Sequence, residues 1–209
     1  MLFAMFTDLV SSRIIPVIVI RDAERATGLG EALLRGGIPV AEVTFRTDAA
    51  AEAVRRMSRL DGLLVGAGTV VNVDQVDAAV DAGARFIVSP GLNAAVVQRA
   101  MGHGVPIVPG TVTPSEIMAG LELGLTTLKF FPAELSGGVA ALKALASPFS
   151  QVRFVPTGGV TPANLPDYLA LPNVAAVGGS WMVKESALAA GDFDSIAAEC
   201  AWAAAAAKA

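Results

Sequence analysis

Lys129 carries the strongest chemical signal in this sequence. It lies in the run Thr-Thr-Leu-Lys-Phe-Phe-Pro at residues 126–132, whose β-branched and aromatic residues predict a buried strand. Lysine is rarely buried without a partner or a chemical task, because burial disfavours the charged ammonium. A buried neutral amine can attack a carbonyl carbon and form a Schiff base. The same side chain could instead extend to solvent from a strand end or pair with a carboxylate, and the run alone supports both interpretations.

The three other lysines occupy less demanding positions. Lys143 lies on a helical pattern, Lys184 in a predicted polar loop and Lys208 in the C-terminal tail. At each of these places the ammonium can remain in water, so its charge costs little free energy. Lys129 is therefore the lysine for which we expect a chemical function.

A second polar set lies at the end of the strand predicted over residues 40–45. Side chains alternate across a strand with a period of two, so Glu42, Thr44 and Arg46 share one face. Val43 and Phe45 share the other face, which must pack against helices. The glutamate and the arginine could neutralise each other as a purely structural pair. A third buried charge at Lys129 favours a functional cluster instead.

Two glycine pairs follow the last two predicted strands. Gly158-Gly159 follows Thr157, and Gly178-Gly179 precedes Ser180. Glycine lets backbone N–H groups approach and converge on an anion. Either pair alone would fit an ordinary tight turn. Both pairs at the last two strands of a barrel indicate a site for a phosphorylated ligand.

A repeated unit must position these residues. A short apolar strand, a turn and a helical segment recur eight times, which predicts parallel strands with right-handed crossovers. The predicted strands are residues 16–20, 40–45, 63–69, 86–90, 106–110, 126–132, 153–159 and 174–180. The predicted helices are residues 22–35, 48–60, 73–82, 94–102, 114–123, 138–146, 162–170 and about 193–207.

Eight such units predict a single-domain (β/α)8 barrel, also called a TIM barrel, over residues 1–209. We expect a short N-terminal helix within residues 1–13 and a C-terminal helix within residues 193–209. An open, doubly wound sheet is the alternative. In a barrel the chemistry lies at the C-terminal ends of the strands, where Glu42, Arg46 and Lys129 fall.

Composition narrows the classes of function. The chain is 54% hydrophobic, which suits a parallel sheet buried on both faces and is compatible with a subunit interface. A net charge of -4 argues against nucleic acid and anionic membranes as partners. With Cys200 as its single cysteine the chain forms no internal disulfide, which fits a reducing cytoplasm. The apolar residues 1–12 have no basic start and predict a helix rather than a signal peptide.

The inventory of metal ligands is small. His103 is the sole histidine and lies in a helix-to-strand connection, which faces the end of the barrel away from the expected site. A zinc site of the usual kind needs more histidines or cysteines. We therefore predict no metal and no cofactor, although carboxylates alone could still bind magnesium.

The sequence resembles the bacterial 2-keto-3-deoxy-6-phosphogluconate (KDPG) aldolases, which also act as 4-hydroxy-2-oxoglutarate (KHG) aldolases. The resemblance covers nearly the whole chain in order and at matching spacing. It rests on Glu-Val-Thr-Phe-Arg-Thr at residues 42–47, Val-Gly-Ala-Gly-Thr at 65–69, Ser-Pro-Gly at 89–91, Leu-Lys-Phe-Phe-Pro-Ala-Glu at 128–134, Pro-Thr-Gly-Gly at 156–159 and Gly-Gly-Ser-Trp at 178–181.

The resemblance implies a class I aldolase, a carbon–carbon lyase of carbohydrate metabolism in the Entner-Doudoroff pathway. It implies a cytoplasmic homotrimer of barrels that needs no metal. Lys129 would be the Schiff-base lysine and Glu42 the general acid and base. The implied substrate-binding residues are Arg46, Thr69, Pro90 and Phe131 around the pyruvyl group, and Thr157, Gly158, Gly159, Gly179 and Ser180 on the phosphate side.

Two alternatives remain open from the residues. A sugar-phosphate isomerase or epimerase on the same barrel would use Glu42 as its base and Lys129 as an electrostatic partner. A non-catalytic sugar-phosphate binding protein would use the same fold without turnover, because fold alone does not determine function.

Overall fold

The computed structural model describes residues 9–208. The expected N-terminal helix within residues 1–13 falls mostly on residues 1–8, outside this range. Within residues 9–208 no helix is long and apolar enough to cross a membrane.

Eight parallel strands form the centre of the fold, as the repeated pattern predicted. They are β1 Ile14–Ile18, β2 Val40–Thr44, β3 Leu64–Gly68, β4 Ile87–Ser89, β5 Ile107–Thr111, β6 Thr127–Phe130, β7 Arg153–Pro156 and β8 Val177–Gly179. Helices follow the strands: α1 Ala26–Arg35, α2 Ala50–Met57, α3 Val73–Asp81, α4 Ala94–Gly102, α5 Pro114–Glu122, α6 Gly138–Ala146, α7 Leu165–Leu169, α8 Glu185–Ala190 and α9 Phe193–Ala206.

The sheet closes into a barrel. Its strand order runs β7-β6-β5-β4-β3-β2-β1-β8. Parallel bridges from Phe154 to Val174 and from Thr157 to Gly178 then join the two outer strands. The N–H of Phe154 also donates to the carbonyl of Asn173 at 2.7 Å. The prediction of a (β/α)8 barrel is confirmed, and the open-sheet alternative is wrong.

The predicted alternation of side chains is confirmed on β6. Leu128 and Phe130 are fully buried on the outer face of the sheet. The Phe130 ring meets Phe154 edge to face, with ring centroids 6.3 Å apart. Lys129, between them in sequence, therefore points into the barrel.

Local chemistry sets several helix boundaries. Asn72 and Asn93 cap α3 and α4 through their side chains. Thr113 and Glu116 form a reciprocal capping box at the start of α5. These caps satisfy N–H groups that the first helical turn leaves unpaired.

Several boundaries in the sequence prediction are wrong, and three of them affect how the fold is described. β1 begins two residues earlier than predicted, because Ile14 and Ile15 pair with Val177 and Gly178 of β8. Residues 185–190 form α8, although Lys184 was assigned to a loop with no helix after it. The helix predicted from residue 162 begins only at Leu165.

His103 lies at the end of α4, away from the site, as expected. Its Nε2 is 2.7 Å from Oδ1 of Asp77, which also receives a bidentate pair from Arg99. The Arg99 hydrogen bonds, with a smaller contribution from His103, lower the pKa of Asp77 to about 2. This cluster therefore ties α3 to α4 on the surface.

Candidate active site

The central feature of the site is an ion pair that spans the inside of the barrel. Lys129 Nζ lies 3.4 Å from Oε1 of Glu42, and the two side chains are only 6% and 3% exposed. Their strands, β6 and β2, are separated by three others in the sheet order, so they face each other across the barrel. Both predicted charges therefore lie inside the barrel and in contact.

Glycine at position 68 makes room for Glu42. Gly68 pairs with Thr44 on the neighbouring strand β2. A Cβ atom at position 68 would lie 2.6 Å from Cγ and 2.8 Å from Cδ of Glu42, closer than side chains tolerate. The absence of a side chain on Gly68 thus fixes where the carboxylate can lie.

Arg46 lies above the ion pair at the mouth of the barrel. Its Nε donates to Oγ1 of Thr69 at 3.1 Å. Thr69 has a φ of 58°, a left-handed conformation that is uncommon for a threonine. Thr44, which shares the inner face of β2, instead donates to the carbonyl of Ile18 and is a structural residue.

A cavity of about 650 Å³ opens at the C-terminal ends of the strands. Seven of the predicted site residues line it: Arg46, Phe131, Thr157, Gly158, Gly159, Gly179 and Ser180. Lys129 and Glu42 lie beneath its floor. The Lys129 Nζ is 5.1 Å from the centroid of the Phe131 ring, which lines the cavity. The amine therefore lies just below the cavity, next to the Phe131 ring, in surroundings that exclude most water.

Two predicted residues lie apart from this cavity. Pro90 lines a neighbouring depression of about 220 Å³ together with Val70 and Ser89. Thr69 lines neither and reaches the site through its hydrogen bond from Arg46. The structure thus brings nine of the eleven predicted residues together around one cavity and its floor.

The Gly158–Gly159 turn offers backbone donors to the cavity. Both residues have positive φ values, 95° and 83°, which favour glycine. The carbonyls of Thr157 and Gly158 accept from the N–H groups of Ala133 and Glu134. The carbonyl of Gly159 accepts from the Asn164 side chain at 3.2 Å.

A planar trans peptide directs each N–H away from the carbonyl of the preceding residue. The N–H groups of residues 158–160 therefore point opposite to these occupied carbonyls. Within the described residues no protein acceptor is recorded for any of the three. These three consecutive backbone donors belong to residues that line the cavity and are of a kind that can bind an anion.

The second glycine pair makes room for side chains. Gly178 bridges to Thr157, which directly follows β7, and a Cβ at position 178 would collide with the threonine hydroxyl. The ring of Trp181 packs on Gly179 in the same way. These glycines shape the cavity wall rather than a tight turn.

Sequence reasoning missed several residues that line the cavity. They include Val17, Val19, Trp181, Lys184 and Glu185. Alternation along β1 could have placed Val17, since it pairs with Glu42 on β2. Lys184 and Glu185 reach the mouth because α8 begins there, and α8 begins without a side-chain cap that a sequence pattern could indicate.

The charges around the cavity suit an anion. Arg46, Lys184 and Glu185 line it. Lys184 is paired with Glu199 and Glu185 with Arg21, each at 3.3 Å, so Arg46 is the lining charge that has no ion pair among the described residues. Among the described residues no group of three or more histidine, cysteine, aspartate or glutamate side chains could hold a metal ion. The arrangement offers an amine, an adjacent proton-carrying group and donors for anions at both ends of the cavity.

Several known proteins are similar to this chain. A sequence model of the family described as "Aldolase: KDPG and KHG aldolase" matches residues 7–199. The KHG/KDPG aldolase of Escherichia coli K12 is 49% identical over 189 residues, covering 90% of this chain and 89% of that protein.

Two solved structures are also similar. The KDPG aldolase of Zymomonas mobilis ZM4, solved with 3-phosphoglycerate, superposes with a TM-score of 0.93 at 43% identity, covering 98% of this chain and 97% of that one. The KDPG aldolase of Legionella pneumophila, with pyruvate captured at low pH as a covalent carbinolamine, gives a TM-score of 0.91 at 43% identity, covering 95% and 97%.

We predict that Gly68→Ala displaces the Glu42 carboxylate and lengthens its distance to Lys129 beyond 3.4 Å, because the added Cβ occupies the place of the carboxylate. A crystal structure of the variant measures that distance. Gly91→Ala is the matched control, since nothing lies within 4 Å of a Cβ there. An unchanged ion pair in Gly68→Ala would contradict the assignment of Gly68 as the space that positions Glu42.

Proposed function

The chain belongs to the KDPG and KHG aldolase family, and on that premise we propose that it is a class I aldolase, a carbon–carbon lyase that cleaves KDPG to pyruvate and glyceraldehyde 3-phosphate. The same site would cleave 4-hydroxy-2-oxoglutarate to pyruvate and glyoxylate. The observation that carries the proposal is the buried Lys129–Glu42 pair, 3.4 Å apart behind a cavity rich in anion donors.

The first step makes the nucleophile. Proton transfer from the Lys129 ammonium to the Glu42 carboxylate leaves a neutral amine beside a carboxylic acid. The amine adds to the C2 carbonyl of the substrate, and the carbonyl oxygen takes a proton to give a carbinolamine. Glu42 then protonates the departing hydroxyl, water leaves, and a protonated imine remains.

The imine next serves as an electron sink. Loss of the C4 hydroxyl proton to the Glu42 carboxylate makes C4 a carbonyl, and the electrons of the C3–C4 bond move toward the imine nitrogen. Glyceraldehyde 3-phosphate leaves and an enamine of pyruvate remains on Lys129. Glu42 returns its proton to C3, and water hydrolyses the resulting imine to release pyruvate and the free lysine.

The remaining residues would hold the two ends of the substrate. Arg46 would pair with the C1 carboxylate in the bidentate manner that a guanidinium allows. Phe131 would pack beside the pyruvyl group, and Thr69 would hold Arg46. Pro90 would shape the neighbouring loop at the pyruvyl end. The phosphate would lie against the backbone and hydroxyl donors of Thr157, Gly158, Gly159, Gly179 and Ser180.

Molecules bound in the two similar structures support the proposed reaction, whereas the roles of individual residues rest on the geometry of the site. The carbinolamine of the L. pneumophila protein is the first covalent intermediate of this scheme. The 3-phosphoglycerate of the Z. mobilis protein resembles the three-carbon phosphate product. An isomerase or a binding protein on the same barrel is a weaker proposal, because neither needs a buried amine in contact with an acid.

We also infer a homotrimer in the cytoplasm. Membership of the family and the single cysteine, Cys200, support these two inferences. The described part of the chain also exposes several large apolar side chains, including Val71, Met118 and Trp202, that a subunit interface could cover.

We expect borohydride to trap pyruvate on Lys129, because reduction makes the imine bond permanent. Mass spectrometry of the digested protein should find the added pyruvate on the peptide that carries Lys129. Lys129→Arg should abolish the label, and the control Lys143→Arg should keep it. A label on another lysine would falsify the proposed nucleophile, and the absence of any label would favour the isomerase alternative.

Glu42→Gln should lower kcat for KDPG by about 100-fold or more, the usual scale for loss of a general acid and base. The amide keeps the shape of the side chain, so we expect a similar circular dichroism spectrum. Glu31→Gln, on the exposed surface of α1, is the control. A kcat within about threefold of the unsubstituted enzyme would remove Glu42 from the mechanism.

Sedimentation equilibrium should give a mass three times the 21.3 kDa of one chain. The trimer follows from family membership and the apolar surface, so a concentration-independent monomer would contradict it. The measurement is independent of catalysis and leaves the aldolase proposal standing in either case.

A further inference from the structure

Glu134 is a carboxylate whose position the proposed mechanism does not explain. It lies five residues after Lys129 and immediately behind the Gly158–Gly159 turn. A negative charge so close to a phosphate site opposes the binding of a phosphate dianion. The side chain is nevertheless absent from the lining of the cavity. We therefore expect contacts with other residues to hold the Glu134 carboxylate away from the ligand.

The backbone and the side-chain stem of Glu134 both contact the turn. Its N–H donates to the carbonyl of Gly158 at 3.1 Å. A Cβ atom at Gly159 would lie 2.5 Å from Cγ and 2.6 Å from Cβ of Glu134, so the stem packs directly against the glycine. Glu134 therefore supports the turn from the side opposite the cavity.

Tyr168 holds the carboxylate end of this support. Tyr168 is fully buried on α7, and its hydroxyl donates to Oε1 of Glu134. Both oxygens meet near Gly138, since a Cβ there would lie 3.2 Å from Glu134 Oε1 and 3.2 Å from the Tyr168 hydroxyl. Burial, and then the bond to Glu134, raise the pKa of Tyr168 above its usual range. The phenol therefore remains a hydrogen-bond donor throughout the neutral range.

We propose that Glu134 and Tyr168 form a positioning pair that fixes the Gly158–Gly159 turn and thereby determines the preference for phosphorylated over unphosphorylated substrates. The inference rests on the proposed function. The pair acts only on the donors at the phosphate end of the cavity. At the pyruvyl end, Glu42 on β2 and Lys129 on β6 point into the barrel and Arg46 follows β2, whereas the Gly158–Gly159 turn follows β7. We therefore expect the pyruvyl end not to respond to the pair.

The test compares KDPG with 4-hydroxy-2-oxoglutarate in variants of the pair. Glu134→Ala removes the support, and we expect about a tenfold rise in KM for KDPG, the scale of one lost hydrogen bond to a charged group. We expect kcat for KDPG and both constants for 4-hydroxy-2-oxoglutarate to stay within about twofold. The inhibition constant of inorganic phosphate, with 4-hydroxy-2-oxoglutarate as the substrate, should also rise about tenfold.

Conservative variants separate positioning from a general effect on folding. Glu134→Gln keeps an acceptor for the phenol and should restore a KM near that of the unsubstituted enzyme. Tyr168→Phe should resemble Glu134→Ala. Glu31→Ala, on the exposed surface of α1, is the matched control. Because Glu134 is exposed, its variants test the inference even if Tyr168→Phe fails to fold.

The outcomes distinguish this inference from the proposed function. Equal losses for the two substrates in Glu134→Ala, or no loss for either, would overturn the role of the pair. Failure of Glu134→Gln to restore the KM for KDPG would also overturn it. Failure of the unsubstituted enzyme to trap pyruvate would overturn the aldolase proposal instead, so trapping is measured on every preparation.

Discussion

The ion pair between Lys129 and Glu42 is the constraint on which the rest of this structure depends. Removing two charges from water costs several kcal/mol for each ion, and their attraction offsets this cost only in good geometry. The two strands that supply the charges face each other across the barrel, so the 3.4 Å contact exists only when the sheet is closed. Closure and chemistry are therefore linked, because an open sheet would leave both charges unpaired.

Glycines on the strands make this crowded interior possible. Glycine in a strand costs stability, because it loses more backbone freedom on folding and packs no side chain. At each of four positions, however, an added Cβ would collide with a neighbouring side chain. Gly66 admits the ring of Phe86, Gly68 admits Glu42, Gly178 admits Thr157, and Gly179 admits the ring of Trp181. These glycines thus lower the stability of the strands but leave space for the groups that line or support the site.

Local rules were sufficient to predict the frame of the site. Strand alternation correctly placed Lys129 and Glu42 on the inner face, and repeated βα units correctly indicated the barrel. Residues whose position depends on distant packing could not be predicted in the same way. The Trp181 ring lies over Gly179, and Pro90 packs its carbonyl on Gly110, through contacts that no local pattern reveals. The start of β1 depended on the pairing of Ile14 with Val177 of β8, 163 residues later in the sequence, which a local window cannot detect.

The two ends of the cavity use different kinds of recognition, and the overall charge of the chain helps to explain why. With a net charge of -4, the protein as a whole repels anionic metabolites, so attraction must be local. In the proposed mechanism the pyruvyl end uses charged side chains: Arg46 binds the carboxylate and Lys129 forms the covalent bond. The phosphate end of the same proposal uses backbone N–H groups, which carry no net charge and are held by the surrounding fold.

Fixed backbone donors suit the end of the substrate that does not react. They lose no side-chain freedom when a ligand binds, whereas a flexible lysine must be ordered each time. They also remain donors at every pH, so the grip on the phosphate does not change while protons move between Lys129 and Glu42. Their weakness is that they depend wholly on the loop that presents them. The positions of the N–H groups in the Gly158–Gly159 turn then depend on the residues that pack against its other side. Glu134 and Tyr168 form their hydrogen bond there.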